Sequence, residues 1–250
     1  MLKRLILICI FALVSISSPL FAEGELINGI DGNFAPFAYI GPDGQAAGFD
    51  VEALNWIATK QGFTVKHQAM EWDSIVTSLK DKKIDMIASG LSVTEERAEQ
   101  ISFSIPYWVV KQVVLVTKDS TLTLDEVLKG GNTIGVQRGT SEGANMEATK
   151  DTDGRNYKVQ LYDTFELAVA DVVNGRIQAA VMNDAPANEA LKAQPVKLLG
   201  DAGIPEEQYA YGVNKENPEL LATLNEGLTL LMADPYWQTL LEKYNPAQPH

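Results

Sequence analysis

Cysteine and histidine are nearly absent from this chain. Cys9 is the only cysteine among 250 residues, and His67 and His250 are the only histidines. Cys9 lies inside an apolar run near the N-terminus, so a mature chain that begins after this run has no thiol for disulfides, thiolate catalysis or metal binding. His67 lies in the alternating stretch FTVKHQ, which favours a strand position over a metal ligand. We therefore expect no metal site, no cofactor and no histidine-based catalytic triad; a P-loop and a glycine-rich dinucleotide motif are also absent from the sequence.

Positive charge is scarce as well. The chain has 20 lysines and arginines against 33 aspartates and glutamates, which gives a net charge of −13. This balance argues against nucleic acid and anionic membrane surfaces as partners, because both repel an acidic protein. It identifies no ligand, since a buried site sets its own local potential.

The N-terminus has the layout of a secretory signal peptide. Lys3 and Arg4 precede an apolar run of about ten residues, and SSPLFAEG follows it. Spanning a membrane needs roughly 20 apolar residues, so this run is too short for that. We predict a signal peptide at residues 1–22, cleaved after Ala22, although Leu20 is larger than the residue usual at its position. The mature protein is therefore expected to be exported.

Strand-like and helix-like segments alternate from residue 25 onward. ELINGI, FTVKHQA and IDMIAS are typical of strands, while FDVEALNWIATKQG and WDSIVTSLKDKK have helical spacing. A second series follows the helix-free run ISFSIPYWVVKQVVLVTKD, with strands at NTIGV, YKVQLY and IQAAVM and helices at TSEGANMEAT, TFELAVADVVNG and APANEALKA. Two further helical segments, PELLATLNEGLTLLMA and PYWQTLLEKY, close the chain. This order predicts an α/β fold with two mostly parallel sheets flanked by helices.

The interruption between the two series indicates two lobes. We assign residues 23–109 and 210–250 to lobe 1 and residues 110–209 to lobe 2. No low-complexity linker separates the series, so we expect two short crossing strands near residues 109–112 and 203–210. Ligands of open α/β sheets lie beyond the carboxyl ends of the strands, and two lobes joined in this way place two such edges on opposite sides of a cleft.

Polar or aromatic residues follow directly after five predicted strand segments. They are Asp31 and Phe34, Trp72, residues 89–92, residues 137–141, and Asp184. Packing does not easily explain such groups at five strand ends, so we expect them to meet in the cleft.

The stretch ASGLSVTEERAEQ contains a cation where a helix start disfavours one. Thr94 is a good N-cap and two glutamates follow it, yet Arg97 still lies in the first turn, where the helix dipole opposes positive charge. One interpretation is that the glutamates neutralise Arg97 on a solvated surface. The other is that the capping hydroxyl, the free N–H groups and the guanidinium together bind an anion.

Four stretches of the chain carry a resemblance to a known family. GIDGNFAPFAYIGPDGQAAGFDVE, EWDSIVTSLKDKKIDMIASGLSVTEERAEQISFSIPYW, IGVQRGTSEGANM and NGRIQAAVMNDAPAN resemble successive signatures of the periplasmic polar amino-acid-binding proteins of ABC importers, also called solute-binding protein family 3. Glutamine binders and lysine/arginine/ornithine binders belong to that family. The resemblance covers nearly all of the mature chain, and it implies the two-lobed type II periplasmic-binding-protein fold.

The resemblance also implies roles for the residues around Arg97. The arginine of the SGLSVTEER block clamps the α-carboxylate of the ligand, which would explain a cation at this helix start. The matching positions that contact the backbone end of the ligand are the hydroxyl and N–H of Ser92, the carbonyls of Ser89 or Gly90, and Thr140 and Ser141 from lobe 2.

Other matching positions concern the ligand side chain. Phe34 and Trp72 match two aromatic positions that sandwich it, and Asp31 matches an acidic position that accepts a hydrogen bond from its nitrogen. Gln137 lies where relatives vary with specificity, and an amide offers both a donor and an acceptor. The resemblance therefore favours glutamine or a basic amino acid as ligand, and Gln137 inclines the choice slightly towards glutamine.

The partner of the ligand ammonium is ambiguous by one residue. The family uses an aspartate at the end of the AAVMND strand; counting forward from Arg176 gives Asn183, whereas counting back from Pro186 gives Asp184. We assign Asp184, because only a carboxylate both neutralises an ammonium and hydrogen-bonds it in a dry cleft.

These features predict a binding protein without catalytic residues. We expect a periplasmic monomer that closes around a free polar L-amino acid and presents it to an ABC transporter permease in the inner membrane. The alternative is an enzyme similar to the cyclohexadienyl dehydratases, which resemble the same binding proteins. Such an enzyme needs a general acid, for which Glu142 and Glu189 are the candidates, but Glu142 lies in a first helical turn where a carboxylate is favoured anyway.

Overall fold

A computed structural model of the protein describes residues 24–244. The predicted signal peptide and its cleavage site lie outside the described residues. The strands are β1 (Glu25–Ile30), β2 (Asn33–Phe34), β3 (Ala38–Ile40), β4 (Ala46–Ala47), β5 (Thr64–Ala69), β6 (Met86–Ile87), β7 (Ser102–Phe103), β8 (Trp108–Val110), β9 (Gln112–Thr117), β10 (Asn132–Gln137), β11 (Tyr157–Tyr162), β12 (Ala179–Asn183), β13 (Val196–Asp201), β14 (Glu207–Tyr209) and β15 (Gly212–Val213). The helices are α1 (Phe49–Gln61), α2 (Ile75–Lys80), α3 (Glu95–Gln100), α4 (Leu124–Lys129), α5 (Ser141–Thr149), α6 (Phe165–Val173), α7 (Asp184–Ala193), α8 (Pro218–Ala233) and α9 (Pro235–Tyr244), with a 3-10 turn at Trp72–Ser74.

Two five-stranded sheets form the two lobes. In lobe 1 the strand order is β5-β1-β6-β15-β7; β1 is parallel to β5 and β6, while β15 is antiparallel to β6 and β7. In lobe 2 the order is β11-β10-β12-β9-β13; β10 is parallel to β11 and β12, while β9 is antiparallel to β12 and β13. In each sheet four of the five strands run in one direction, and only β15 in lobe 1 and β9 in lobe 2 run the opposite way. The predicted α/β fold with two mostly parallel sheets is confirmed.

Two strands connect the lobes. β8 and β14 pair antiparallel to each other, with Val110 opposite Glu207 and Trp108 opposite Tyr209. Each is the last strand before the chain enters the sheet of the other lobe. They lie where the sequence predicts crossing strands.

An aromatic cluster lies next to the crossing strands. The ring of Tyr209 packs edge-on against Phe37, with a centroid distance of 5.1 Å, and Phe37 packs in the same way against Trp108 at 5.9 Å. All three side chains are buried. Because Trp108 and Tyr209 belong to the crossing strands and Phe37 follows β2, the cluster joins both crossing strands to lobe 1.

The strands β13 and β15 were not predicted from the sequence. Two more parts of the fold were missed. One is the small antiparallel sheet β2-β3-β4, whose strands have two or three residues and are too short for a periodic pattern to register. The other is α4, although its start has a capping box in which Thr123 and Glu126 bond reciprocally to each other's backbone N–H. In the described part of the chain, no helix is long and apolar enough to cross a membrane.

Candidate functional site

A cavity lies between the lobes, at the ends of strands from both sheets. Asp31 follows β1, residues 89–92 follow β6, Gln137 ends β10 and Asn183 ends β12, so carboxyl ends of strands meet there as predicted for open α/β sheets. The lining residues are Asp31, Phe34, Trp72, Ser89, Gly90, Ser92, Arg97, Gln137, Thr140, Ser141, Glu142, Phe165 and Asn183.

Arg97 is a buried cation at the start of α3. The Thr94 hydroxyl accepts the Arg97 N–H at 3.2 Å and caps the helix, so the predicted N-cap is confirmed. The guanidinium donates to the carbonyl oxygens of Ser92, at 3.0 Å, and Gly139, at 2.9 Å, and its carbon lies 5.7 Å from the centre of the Trp72 ring. Burial lowers the pKa of Arg97.

Those hydrogen-bond partners of Arg97 are neutral. Within residues 24–244 it has no ion pair with a carboxylate, and only 8% of the residue is exposed. The carboxyl groups of Glu142, Glu207 and Glu96 attract the guanidinium from beyond ion-pair distance. A buried guanidinium with no carboxylate in contact is costly, and an incoming anion would compensate it. The surface-neutralisation interpretation of Arg97 is therefore wrong.

The chain between β6 and α3 is held rigidly against lobe 1. The Ser89 hydroxyl accepts the Asp31 N–H at 3.0 Å, and the buried Asp50 carboxylate accepts the Gly90 N–H at 2.6 Å and the Tyr107 hydroxyl at 2.8 Å. Gly90 has φ +61°, and a Cβ there would come within 2.3 Å of the Phe34 ring. Glycine is thus needed where this segment passes the aromatic wall.

Asp31 of lobe 1 and Gln137 of lobe 2 bond to each other across the cavity. Gln137 Nε2 donates to Asp31 Oδ2 at 2.8 Å and to the carbonyl oxygen of Asp163 at 3.0 Å. The other Asp31 oxygen accepts the Asn33 N–H at 2.9 Å. Burial raises the pKa of Asp31, and the hydrogen bonds from Gln137 and Asn33 act in the opposite direction.

An aromatic wall borders this end of the cavity. The Phe34 and Trp72 rings are nearly parallel, with 18° between their planes and 6.5 Å between their centroids. Phe165, the first residue of α6, packs against Phe34 from lobe 2 at 5.9 Å. Such ring faces attract planar or cationic groups.

The start of α5 forms the lobe 2 wall that faces Arg97. The Thr140 hydroxyl accepts the Gly143 N–H as N-cap, and the Ser141 hydroxyl donates to Glu207 at 2.6 Å. Glu142 is 1% exposed, and burial raises the pKa of its carboxyl to about 7.

The structure departs from the prediction at the end of β12. Asn183 lines the cavity and Asp184 does not. Neighbouring residues at a strand end point to opposite sides, so only one of the two faces the cavity. The Asp184 carboxylate instead accepts the N–H of Ala185 at 2.9 Å, in the first turn of α7.

Apart from Asp184, the structure brings all the predicted site residues together in this cavity. It adds Phe165, which comes soon after β11. The same search for aromatic residues after predicted strands could have found it. It also adds Glu142, which the sequence analysis weighed only as a general acid. Glu189, the other candidate acid, lines a separate groove on α7 and forms an ion pair with Lys192 at 2.7 Å.

The cavity is asymmetric in charge. Its lining contains one guanidinium, that of Arg97, and two carboxyl groups, those of Asp31 and Glu142. A zwitterion brings one charge of each sign, so a ligand with one additional positive charge gives the best balance.

Comparisons with known proteins show the family to which the chain belongs. The lysine/arginine/ornithine-binding periplasmic protein of Escherichia coli (strain K12) is 30% identical over 226 residues, which cover 86% of this chain and 85% of that protein. The arginine-, lysine-, histidine-binding protein ArtJ from Geobacillus stearothermophilus superposes with a TM-score of 0.80 at 30% identity, over 90% of this chain and 97% of that one. An ancestral amino acid-binding protein described as a precursor of cyclohexadienyl dehydratase gives a TM-score of 0.79 at 28% identity, over 88% and 95% of the two chains. The model of the bacterial extracellular solute-binding proteins, family 3, matches residues 26–247, and the chain belongs to that family.

Proposed function

We propose that this protein captures a basic L-amino acid, arginine before lysine, in the cleft between its lobes. The observation that carries the proposal is the arrangement of Asp31 and Gln137. Both amide N–H groups of Gln137 have partners, namely the Asp31 carboxylate and the Asp163 carbonyl, so its side-chain oxygen is the group left for a ligand. Asp31, when ionised, is also an acceptor. A side chain with only donors suits this pair better than an amide, whose own oxygen would find no donor there.

The engaged Gln137 amide reverses the preference drawn from the sequence, where Gln137 inclined the choice towards glutamine. A free Gln137 amide could pair with a ligand amide in both directions. With its N–H groups engaged, it supports a guanidinium or an ammonium instead. The nearly parallel Phe34 and Trp72 rings add a preference for arginine, because a planar cation stacks on aromatic faces.

The relatives support the same ligand class. The Escherichia coli protein is named for lysine, arginine and ornithine, and the Geobacillus protein for arginine, lysine and histidine. Each is 30% identical to this chain over the aligned residues. Both names include basic amino acids, and the charge of the cavity also favours a basic amino acid.

We assign the α-carboxylate of the ligand to Arg97, with the Thr140 and Ser141 positions at the start of α5 completing an anion site. Helix-start N–H groups and a guanidinium act together on a carboxylate. The hydroxyl and N–H of Ser92 contribute from lobe 1, and the carbonyls of Ser89 or Gly90 accept from the ligand ammonium.

Ligand capture would proceed through lobe closure. Arg97 to Gly139 and Asp31 to Gln137 are hydrogen bonds between the lobes, so groups that hold the ligand also hold the lobes together. A ligand that contacts both lobes binds the closed form more tightly and shifts the population towards it. We propose that the closed monomer then delivers its ligand to an ABC transporter permease from the periplasm.

Asp31→Asn tests the proposed ligand class. We expect the variant to bind L-arginine about tenfold more weakly than the wild type, because it loses one charge-assisted hydrogen bond of roughly 1.5 kcal/mol, while L-glutamine binding changes much less. The readout is the ratio of the two dissociation constants from calorimetric titrations.

Asp163→Asn is the matched control. It makes the same change at a neighbouring carboxylate that is 66% exposed, so it leaves the ratio unchanged. If Asp31→Asn leaves the preference for arginine over glutamine intact, Asp31 does not bind the ligand side chain, and the role proposed for Asp31 is wrong.

The enzyme alternative has less support. Glu189 lies outside the cavity, which leaves Glu142 as the candidate acid, and no histidine lies in the lining. The relative described as a dehydratase precursor is itself an amino acid-binding protein. A binding role therefore accounts for the site without a chemical step.

A further inference from the structure

Glu142 is a buried carboxyl group in the cavity for which the family resemblance gives no role. It is the second residue of α5, and the residue is 1% exposed. Its Oε2 lies 3.3 Å from the Ser141 hydroxyl oxygen, whose proton goes to Glu207 at 2.6 Å. Its Oε1 is fully buried with no hydrogen-bond partner within residues 24–244. An unpartnered buried oxygen on the wall of a cavity needs a donor, and a ligand could supply one.

The end of β12 does not supply the expected carboxylate. Asn183 occupies the wall there, and its buried Nδ2 has no partner within the described residues. The Asn183 amide oxygen could accept from an ammonium, but an amide has no charge with which to neutralise it. Asp184, which we assigned from the sequence, uses a carboxylate oxygen on the Ala185 N–H instead. The cavity lining thus contains two carboxyl groups, and Asp31 lies at the aromatic end, already bonded to Gln137 and Asn33.

We infer that Glu142 is the counter-ion of the ligand α-ammonium and that it gives up a proton when the ligand binds. This inference rests on the proposed function and adds to it a contact in lobe 2. The free Asn183 N–H would then face the ligand carboxylate, on the side of Arg97. Glu142 and Asn183 together give the zwitterion an acceptor and a donor from lobe 2. On closure, lobe 2 therefore contacts both the ammonium and the carboxylate of the ligand.

The charges around Glu142 mean that its protonation should change when the ligand binds, so the number of protons released or taken up reports on its role. Arg97 from α3 and Glu207 and Tyr209 from β14 face it, while burial raises the pKa of its carboxyl to about 7. An ammonium favours the ionised form, so the pKa of Glu142 falls in the complex and a proton leaves. Affinity should therefore rise with pH up to about pH 7 and stay level above it, because the free protein binds more protons than the complex below that point.

A competing role for Glu142 predicts the opposite sign. If ionised Glu142 serves as the counter-ion of Arg97 before ligand arrives, the ligand carboxylate displaces it. Its pKa then rises in the complex, and ligand binding takes up a proton. The direction of proton transfer separates the two roles without any mutation.

The experiment is calorimetric titration of L-arginine into the wild type and Glu142→Gln at pH 6, in buffers with different ionisation enthalpies. We expect the wild type to release a proton on binding and Glu142→Gln to release markedly less. At pH 8 the variant should bind about tenfold more weakly, with an unchanged unfolding midpoint. Asp31 also has a raised pKa and contributes to the total release, so the difference between wild type and variant is the quantity that reports on Glu142.

Glu147→Gln is the matched control, since it makes the same substitution on the same helix at a side chain that is 40% exposed and paired with Lys150. It should leave both affinity and proton release unchanged. Arginine binding with proton uptake, or with a release that survives in Glu142→Gln, overturns the inference and leaves the proposed function intact. A wild type that binds no basic amino acid overturns both.

Discussion

Arg97→Ala is expected to abolish most of the affinity for every amino acid while leaving the fold intact. Removing one partner of a buried charge pair costs roughly 2 to 5 kcal/mol, which corresponds to about 30-fold or more in the dissociation constant. The loss should be the same for arginine, lysine and glutamine, because the α-carboxylate is common to all of them. Calorimetric titration of the three ligands measures it.

The stability of the same variant separates binding from folding. Arg97 is buried with no carboxylate in contact, so its removal relieves a desolvation cost. It sacrifices the hydrogen bonds to the Ser92 and Gly139 carbonyls and a longer-range attraction to nearby glutamates. We therefore expect a thermal unfolding midpoint close to that of the ligand-free wild type. Arg176→Ala, which removes an exposed arginine paired with Asp171, is the control and should bind normally. A collapse of the midpoint in Arg97→Ala would show that Arg97 is structural instead.

Gly139→Ala is expected to prevent full closure of the cleft. Gly139 lies in lobe 2 with φ +77°, and a Cβ there would come within 2.6 Å of the Asp73 Cα in lobe 1. Because the obstacle is backbone, it cannot swing aside as a side chain could. The carbonyl oxygen of Gly139 also accepts from Arg97 across the cleft, so displacement of this turn weakens the carboxylate site as well. Overpacking of this kind costs roughly 2 kcal/mol, and we expect arginine affinity to fall about 30-fold.

Gly154→Ala is the control for backbone strain. Gly154 is also in lobe 2, has φ +75°, and would place its Cβ in open space. Both variants suffer a similar penalty for alanine at positive φ, so both should unfold at similarly lowered temperatures. The loss of affinity should be confined to Gly139→Ala. Equal affinities for the two variants would mean that the lobes do not meet at Gly139 in the bound form.

The sequence predicted the elements whose signals are local. α1 runs as far as Gln61, next to Gly62, as its apolar spacing indicated, and α3 begins after Thr94, whose hydroxyl caps it. β10, β11 and β12 follow the predicted strands, because β-branched and aromatic runs of five or six residues bounded by turn residues leave few alternatives. The strands β2, β3 and β4 in lobe 1, with two or three residues each, lacked any such period.

The site was predictable because polar groups at strand ends converge by topology. Arg97 also stood out through its conflict with the helix dipole. The choice between Asn183 and Asp184 was not predictable, since it depends on which side of β12 faces the cavity, and one residue of register reverses that. The engagement of the Gln137 amide by Asp31 and Asp163 depends on closed lobes, a tertiary arrangement that no local pattern encodes.

The central claim is that the cleft takes an L-amino acid with a positively charged side chain. The most direct measurement is calorimetric titration of the purified wild type with L-arginine, L-lysine, L-glutamine and L-glutamate at neutral pH. We predict one ligand per chain, tightest binding for arginine and then lysine, weaker binding for glutamine and none for glutamate, with heat that returns to baseline after each injection. Binding of glutamate or glutamine at least as tight as that of arginine and lysine, or a steady heat of turnover, would contradict the account.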